Sequence, residues 1–117
     1  MALEHAAPGE IVDFAPYGPR IRQQQTSAIV KAELFEVVRL VVLEGNEIRT
    51  HVVDGPIMLE CLEGRTAIGL SGGTVELAAG QWMHLQGGEP HSVRGVEDSS
   101  LLLTILFPNG RRGGATV

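Results

Sequence analysis

Short apolar runs separated by turn residues are the feature that most constrains how this chain folds. From residue 27 onward the runs are rich in valine, isoleucine and leucine, and they are not spaced like one face of a helix. Most of the 15 glycines lie between the runs, where tight turns need a residue that tolerates positive φ. The pattern predicts about nine or ten short strands and no convincing helix, which indicates an all-β sandwich or barrel. The runs cover residues 28–30, 35–42, 48–53, 57–62, 66–70, 75–77, 81–86, 91–93 and 101–107.

The chain length and the breaker residues predict one domain, 1–117, with three parts. Residues 1–26 are polar and rich in proline, and we expect them to form an N-terminal arm around the barrel or a neighbouring subunit. Within the arm, Ile11, Val12 and Phe14 are the residues suited to a short edge strand. Residues 27–107 are expected to form the barrel, and residues 108–117 a basic, frayed tail.

Charge and composition exclude several classes of function. The formal net charge is −5 and no Lys/Arg run is present, so a nucleic-acid partner is not expected. No stretch approaches the length of an apolar membrane span, and the first residues do not resemble a signal peptide. Cys61 is the only cysteine, so we expect no internal disulfide and a cytoplasmic location. Because Cys61 lies in an apolar run, we expect an inert, packed thiol. The Cys–Trp–Cys pattern of an immunoglobulin-like sandwich, the alternative β architecture, is absent.

Two segments resemble the paired motifs of the cupin superfamily. The first begins at Gly45, has a histidine at His51 and closes at Gly64. The second is AGQWMHLQGGEPHSV, which begins its motif at Gly80 and contains His91. Residues 65–79 separate the motifs, as in short single-domain cupins, and the resemblance covers about residues 34–107. It implies a cupin-type double-stranded β-helix, that is, a jelly-roll barrel of the RmlC-like kind.

The resemblance also implies a metal site, which this chain carries only in part. Family members typically bind a divalent metal through two histidines and a glutamate of the first motif and a histidine of the second. His51 and His91 match two of these positions, whereas Val53 and Ile57 stand where the second histidine and the glutamate are expected. Aliphatic side chains cannot ligate a metal, and two histidines alone make a weak site. The second motif also has Gln86 in place of proline and Gly95 in place of asparagine.

A third histidine is available in the second motif. If the strand around residues 81–86 alternates, His84 shares a face with Trp82 and Gln86. Should that face point inward, His51, His84 and His91 would form a three-histidine metal cluster; otherwise His84 is a satisfied polar residue or faces solvent. For Trp82, a place in the core or pocket wall is the default expectation. The predicted pocket residues are therefore His51, Val53, Ile57, Trp82, His84, Gln86 and His91.

These residues leave three functions open. The first is a barrel that binds a small organic ligand, with an incomplete or absent metal site. The second is a mononuclear-metal enzyme of the dioxygenase or isomerase type, which uses His51 and His91 with His84 or water around Fe, Mn, Zn or Ni. The third is a structural role as a homodimer, because the run 101–107 has more apolar faces than one barrel interior needs. The sequence does not identify a substrate, since specificity depends on scattered pocket residues.

Overall fold

Nine antiparallel strands form two sheets in the computed structural model of this chain, which describes residues 5–110. The all-β jelly-roll prediction is confirmed. Residues 111–117 of the predicted tail and residues 1–4 of the predicted arm lie outside the described residues. The strands are β1 Ser27–Lys31, β2 Phe35–Val42, β3 Glu47–His51, β4 Ile57–Glu63, β5 Arg65–Leu70, β6 Gly73–Ala78, β7 Trp82–Leu85, β8 His91–Gly95 and β9 Ser99–Leu106.

The strand order shows which strands belong to each of the two sheets. One sheet has the order β1-β2-β9-β4-β7 and the other the order β3-β8-β5-β6. The second and the last strands are therefore hydrogen-bonded neighbours, and most connections pass from one sheet to the other. This arrangement brings the two motif segments together, because β3 from the first motif pairs with β8 from the second.

The core lies between the sheets and is filled by aliphatic side chains. On β4 and β9 every second residue points inward, as strand geometry requires. Fifteen buried residues form one cluster, and burial of each leucine- or isoleucine-sized side chain contributes about 2 kcal/mol to stability. Those on β4 and β9 are Ile57, Leu59, Cys61, Leu101, Leu103 and Ile105.

The N-terminal arm runs over the outer face of the five-stranded sheet. It contains one short 3₁₀ helix, Gly18–Gln23, of which Ile21 is buried. The expected edge strand at Ile11, Val12 and Phe14 does not form; instead, the side chain of Ile11 is 95% exposed. Within residues 5–110, no helix is long and apolar enough to cross a membrane.

A buried ion pair holds the arm to the sheet. Arg39 on β2 donates to the carbonyl oxygen of Ala15 at 2.9 Å and lies 3.3 Å from the Glu63 carboxylate. The Glu63 carboxylate also accepts hydrogen bonds from the Tyr17 and Gly18 amides. The guanidinium carbon of Arg39 lies 3.8 Å from the centroid of the Tyr17 ring, within cation–π range. These contacts fix residues 15–18 against the sheet.

Candidate functional site

His51 and His91 face each other across the β3–β8 pair because β3 contains a bulge. Ile48 is opposite Val93, but the next paired residue on β3 is His51, opposite His91. Three steps along β3 thus match two along β8, so one extra residue is accommodated on β3. Without that residue Thr50 would lie opposite His91, and His51 would point to the other face of the sheet. The bulge therefore turns the side chain of His51 toward His91.

The two imidazole rings form a close, tilted pair. Their centroids are 4.3 Å apart and their planes make an angle of 58°. Each ring makes the same local hydrogen bond: Nδ1 of His51 lies 3.1 Å from the Arg49 carbonyl oxygen, and Nδ1 of His91 lies 2.9 Å from that of Glu89. A carbonyl oxygen only accepts, so both Nδ1 atoms donate. In the neutral rings each Nε2 atom is then left with a free lone pair.

Nε2 of His51 is buried and has no hydrogen-bond partner in the described chain. Buried polar atoms are almost always paired, because an unpaired one retains the full cost of desolvation. An orphaned, buried acceptor in a ring that pairs with a second imidazole therefore marks a place where an outside donor can bind.

Burial keeps His91 neutral. The residue is 3% exposed, and this desolvation lowers its pKa. The hydrogen bond to Glu89 and the Glu89 charge oppose the shift, while His51 reinforces it. At neutral pH the His91 ring therefore presents an acceptor and not a charge.

The loop before His91 is fixed at two points. The Gly88 amide donates to the Val53 carbonyl oxygen at 2.9 Å. The Glu89 carboxylate accepts both the amide and the hydroxyl of Ser71, at 3.0 and 2.7 Å. Gly87 lies so close to the Asp54 carbonyl oxygen that a Cβ atom would overlap it, so a larger residue at this position would have to displace the backbone of residue 54.

The predicted pocket residues separate into two groups in the structure. Val53 and Ile57 are buried in the core at 7% and 2% exposure, on the same side of the sheets as His91.

Trp82, His84 and Gln86, on β7 and directly after it, do share a face, but it is the outer one, and all three are exposed. This corrects their placement in the pocket: Leu85 and Met83 supply the inward positions, so strand parity turns their neighbours outward. His84 instead lies beside Trp82, with ring centroids 5.6 Å apart.

The residues present do not fit a mononuclear metal centre of the family's pattern. Among residues 5–110, no three His, Cys, Asp or Glu side chains are grouped so that they could hold a metal ion. His84 points away from the His51–His91 pair, so the three-histidine cluster considered from the sequence does not form. Two imidazole nitrogens fall short of the three or more protein ligands that such a site needs.

Three surface cavities of the described chain lie away from the histidine pair. One of about 290 Å³ is lined by residues 54–56 and 106–110. Two others, of about 350 and 520 Å³, lie between the arm and β1. Neither imidazole lines any of these three cavities, and His51 Nε2 itself is buried.

Sequence reasoning missed Ser71, Glu89 and the Arg39–Glu63 pair. Glu89 is adjacent to the second motif, but its partner Ser71 belongs to a different hairpin, and no sequence signal links them. Arg39 lies in an apolar run, which is an unusual position for a charged residue. That position was the sequence signal that could have indicated a structural role for Arg39.

The three-dimensional comparisons agree on the fold. No protein-family model matches the chain, and no curated protein matches its sequence. A conserved protein of unknown function from Streptococcus pyogenes superposes with a TM-score of 0.71 at 22% identity, covering 93% of this chain and 99% of that one. An RmlC-like cupin from Desulfovibrio desulfuricans gives 0.70 at 23% identity, with coverages of 82% and 95%. A cupin-superfamily protein from Desulfitobacterium hafniense gives 0.69 at 12%, with coverages of 83% and 98%. At these identities the likeness establishes the cupin fold.

Proposed function

We propose that this cupin-fold protein binds a small organic molecule through the paired imidazoles of His51 and His91. The observation that carries the proposal is the buried, unpartnered Nε2 atom of His51 beside a neutral His91. Acceptors on two rings whose centroids lie 4.3 Å apart call for a ligand that donates hydrogen bonds, such as a hydroxyl, an amine or an amide. A ligand without a donor would leave both lone pairs unsatisfied.

The surroundings favour a ligand that also has apolar surface. Val53 and Ile57 occupy the positions where the family pattern has polar ligands, and both side chains are buried. Pockets for small molecules combine such apolar walls with a few well-placed polar groups. Because His51 Nε2 is buried, ligand binding requires that the site open locally.

The test is a screen of small hydroxyl- and amine-bearing compounds, monitored by the side-chain ¹⁵N resonances of the histidines. We expect binders to shift the resonances of His51 and His91 but not those of His84. His51→Ala and His91→Ala should each weaken binding about tenfold or more, since a lost hydrogen bond leaves a buried group unpaired. His84→Ala, on the outer face, is the matched control. Compounds that bind equally well to His51→Ala would contradict the proposal.

The alternative is a metal-dependent enzyme of the dioxygenase or isomerase type. Its support is that both Nε2 lone pairs are free, although the remaining ligands would have to come from solvent or substrate. Metal analysis of protein purified without chelators or a nickel column tests it. Stoichiometric Fe, Mn, Zn or Ni that is lost in His91→Ala would favour this alternative. Substoichiometric metal, with no thermal shift on addition of these ions, would exclude it.

We also propose a homodimer in a reducing, cytoplasmic setting. On the outer face of the five-stranded sheet, Leu102 and Leu106 of β9 remain half-buried and Trp82 of β7 is 55% exposed. A second copy would cover such surface, as symmetric dimers commonly do. The buried, unpaired Cys61 supports the reducing compartment. A solution mass of 12.5 kDa, that of one chain, would contradict the dimer.

A further inference from the structure

We infer that Glu89 is a positioning residue for His91, and that Ser71 anchors it. The inference rests on the proposed function, because it concerns which nitrogen of His91 presents a lone pair. Glu89 does not contact the proposed ligand position; it acts through its backbone carbonyl, which accepts from His91 Nδ1 at 2.9 Å.

The contacts form a continuous chain from one hairpin turn to the imidazole. Ser71 follows β5, and its amide and hydroxyl both donate to one carboxylate oxygen of Glu89. Leu70, the residue before Ser71, is the direct neighbour of His91 on β8. The anchor therefore holds Glu89 to the strand next to His91, and fixes the direction of its carbonyl group.

The loop needs such an anchor because of its composition. Gly87 and Gly88 directly precede Glu89, and Gly88 has a φ of +85°. Glycines give the backbone the freedom to reorient. Without the carboxylate anchor, the Glu89 carbonyl group is held less firmly in line with His91 Nδ1.

Loss of that alignment changes the chemistry of the pair. If Nδ1 loses its acceptor, the proton is free to move to Nε2, and His91 then presents a donor where it presented a lone pair. His91 Nε2 would then donate, and of the two rings, whose centroids lie 4.3 Å apart, only His51 would still present an acceptor. The pair would cease to be a double acceptor.

His51 supplies an internal control. The Arg49 carbonyl holds its Nδ1 in the same way, two residues upstream. The Arg49 side chain is exposed, and in the described part of the chain no side-chain hydrogen bond or ion pair holds it. Removing the side chain of residue 49 should thus leave its carbonyl in place, whereas removing that of residue 89 should not.

Side-chain ¹⁵N chemical shifts report the tautomer of each histidine and test the inference directly. In the wild-type protein we expect His91 to carry its proton on Nδ1. In Glu89→Ala the ratio of the Nδ1–H to the Nε2–H form should fall by about fivefold, the effect of one hydrogen bond of ordinary net strength. In Ser71→Ala the ratio should fall less, because the amide of residue 71 still donates to the Glu89 carboxylate. Glu89→Gln, which keeps an acceptor oxygen, should restore the wild-type ratio, and Arg49→Ala should leave both histidines unchanged.

Two outcomes overturn the inference: an unchanged His91 tautomer in Glu89→Ala and Ser71→Ala, or an equal change in Arg49→Ala. Thermal unfolding of each variant confirms that it is folded before the shifts are compared. The measurement needs no ligand, so it stands even if the compound screen fails. A failed screen with a tautomer change in Glu89→Ala would reject the proposed function and keep the positioning role.

Discussion

Arg39 shows how a single residue can link an arm to a sheet. Its side chain is 5% exposed, yet three groups surround one terminal nitrogen: the Ala15 carbonyl, the Glu63 carboxylate and the Ser100 hydroxyl. A buried charge is tolerated only when it is paired and hydrogen-bonded in this way. The sequence alone does not indicate that the arm covers Arg39. The arm's contacts depend on chain packing that no local pattern encodes.

Removal of the Glu63 carboxylate should therefore destabilise the folded protein. We expect Glu63→Ala to lower the free energy of unfolding by about 2 to 3 kcal/mol, because the change leaves the buried Arg39 uncompensated. Glu76, which pairs with Arg65 at 3.3 Å on the surface, is the matched control; Glu76→Ala should cost less than about 0.5 kcal/mol. Urea denaturation measures both. Equal losses in the two variants would show that the Arg39–Glu63 pair does not hold the arm.

Cys61 should be chemically inert in the folded protein. Its side chain is fully buried, and burial raises the pKa of the thiol, although the hydrogen bond to the Glu63 carbonyl opposes the shift. The thiolate is the reactive form, so a raised pKa together with burial suppresses reaction. We expect a thiol reagent to modify the native protein only at the rate of global unfolding, and the denatured protein at once. Rapid labelling without denaturant would contradict this.

At the scale of strands and turns, the sequence predicts more of the structure than it does for contacts between individual side chains. The run 35–42 predicts β2 with both its ends, and Ser71-Gly72-Gly73-Thr74 marks the turn between β5 and β6. The bulge in β3 was not predictable, because an extra residue is defined only by the partner strand, β8, which lies some forty positions away. The motif resemblance identified His51, but the bulge is what turns its ring toward His91.

Gly64 and Gly72 lie in neighbouring turns, but only at Gly64 does the structure require a glycine. Gly64 joins β4 to β5 with a φ of +81°, and a Cβ atom there would overlap the Asp98 carbonyl oxygen and the Ser99 hydroxyl. Gly72 has open space around it. We expect Gly64→Ala to cost about 3 kcal/mol of stability and Gly72→Ala less than about 1 kcal/mol, as measured by thermal or urea unfolding. A mild effect at Gly64 would mean that the β4–β5 turn rearranges readily.

At the scale of the whole molecule, the fold class follows from the strand pattern and the motif pair, whereas the two-sheet pairing does not. The neighbours β2 and β9 are far apart in sequence, and only their shared apolar content suggests that both are central. The candidate site was predicted at His51 and His91 from the resemblance, and at Val53 and Ile57 as buried walls. For His84 the sequence left the inward and the solvent-facing placements open, because the parity of a four-residue strand cannot be assigned without knowing which sheet face is covered; the structure shows the solvent-facing one.

Acid should destabilise the whole molecule in two stages, because folding lowers the pKa of His91 and of the carboxyl groups of Glu63 and Glu89. Burial lowers the pKa of His91, so its contribution is complete above the ordinary value of 6.5 and is lost as the pH falls below it, where the unfolded chain takes up the proton first. For Glu63, burial alone would raise the pKa, but hydrogen bonds from Ser100, Tyr17 and Gly18 and the Arg39 charge lower it overall. Its contribution is therefore present above 4.5 and is lost below that value.

The two stages can be separated by substitution. Urea unfolding between pH 8 and pH 3 should show a first decline in stability that is absent in His91→Gln, and a second that is smaller in Glu63→Gln. The remainder of the second decline belongs to Glu89, whose pKa is also lowered, by hydrogen bonds from Ser71. Glu76→Gln is the control for the second stage, since Glu76 lies on the surface and pairs with Arg65 and not with Arg39. If stability were flat from pH 8 to pH 5 in the wild-type protein, His91 would not be held neutral by burial, and the double-acceptor state of the histidine pair would lose its physical basis.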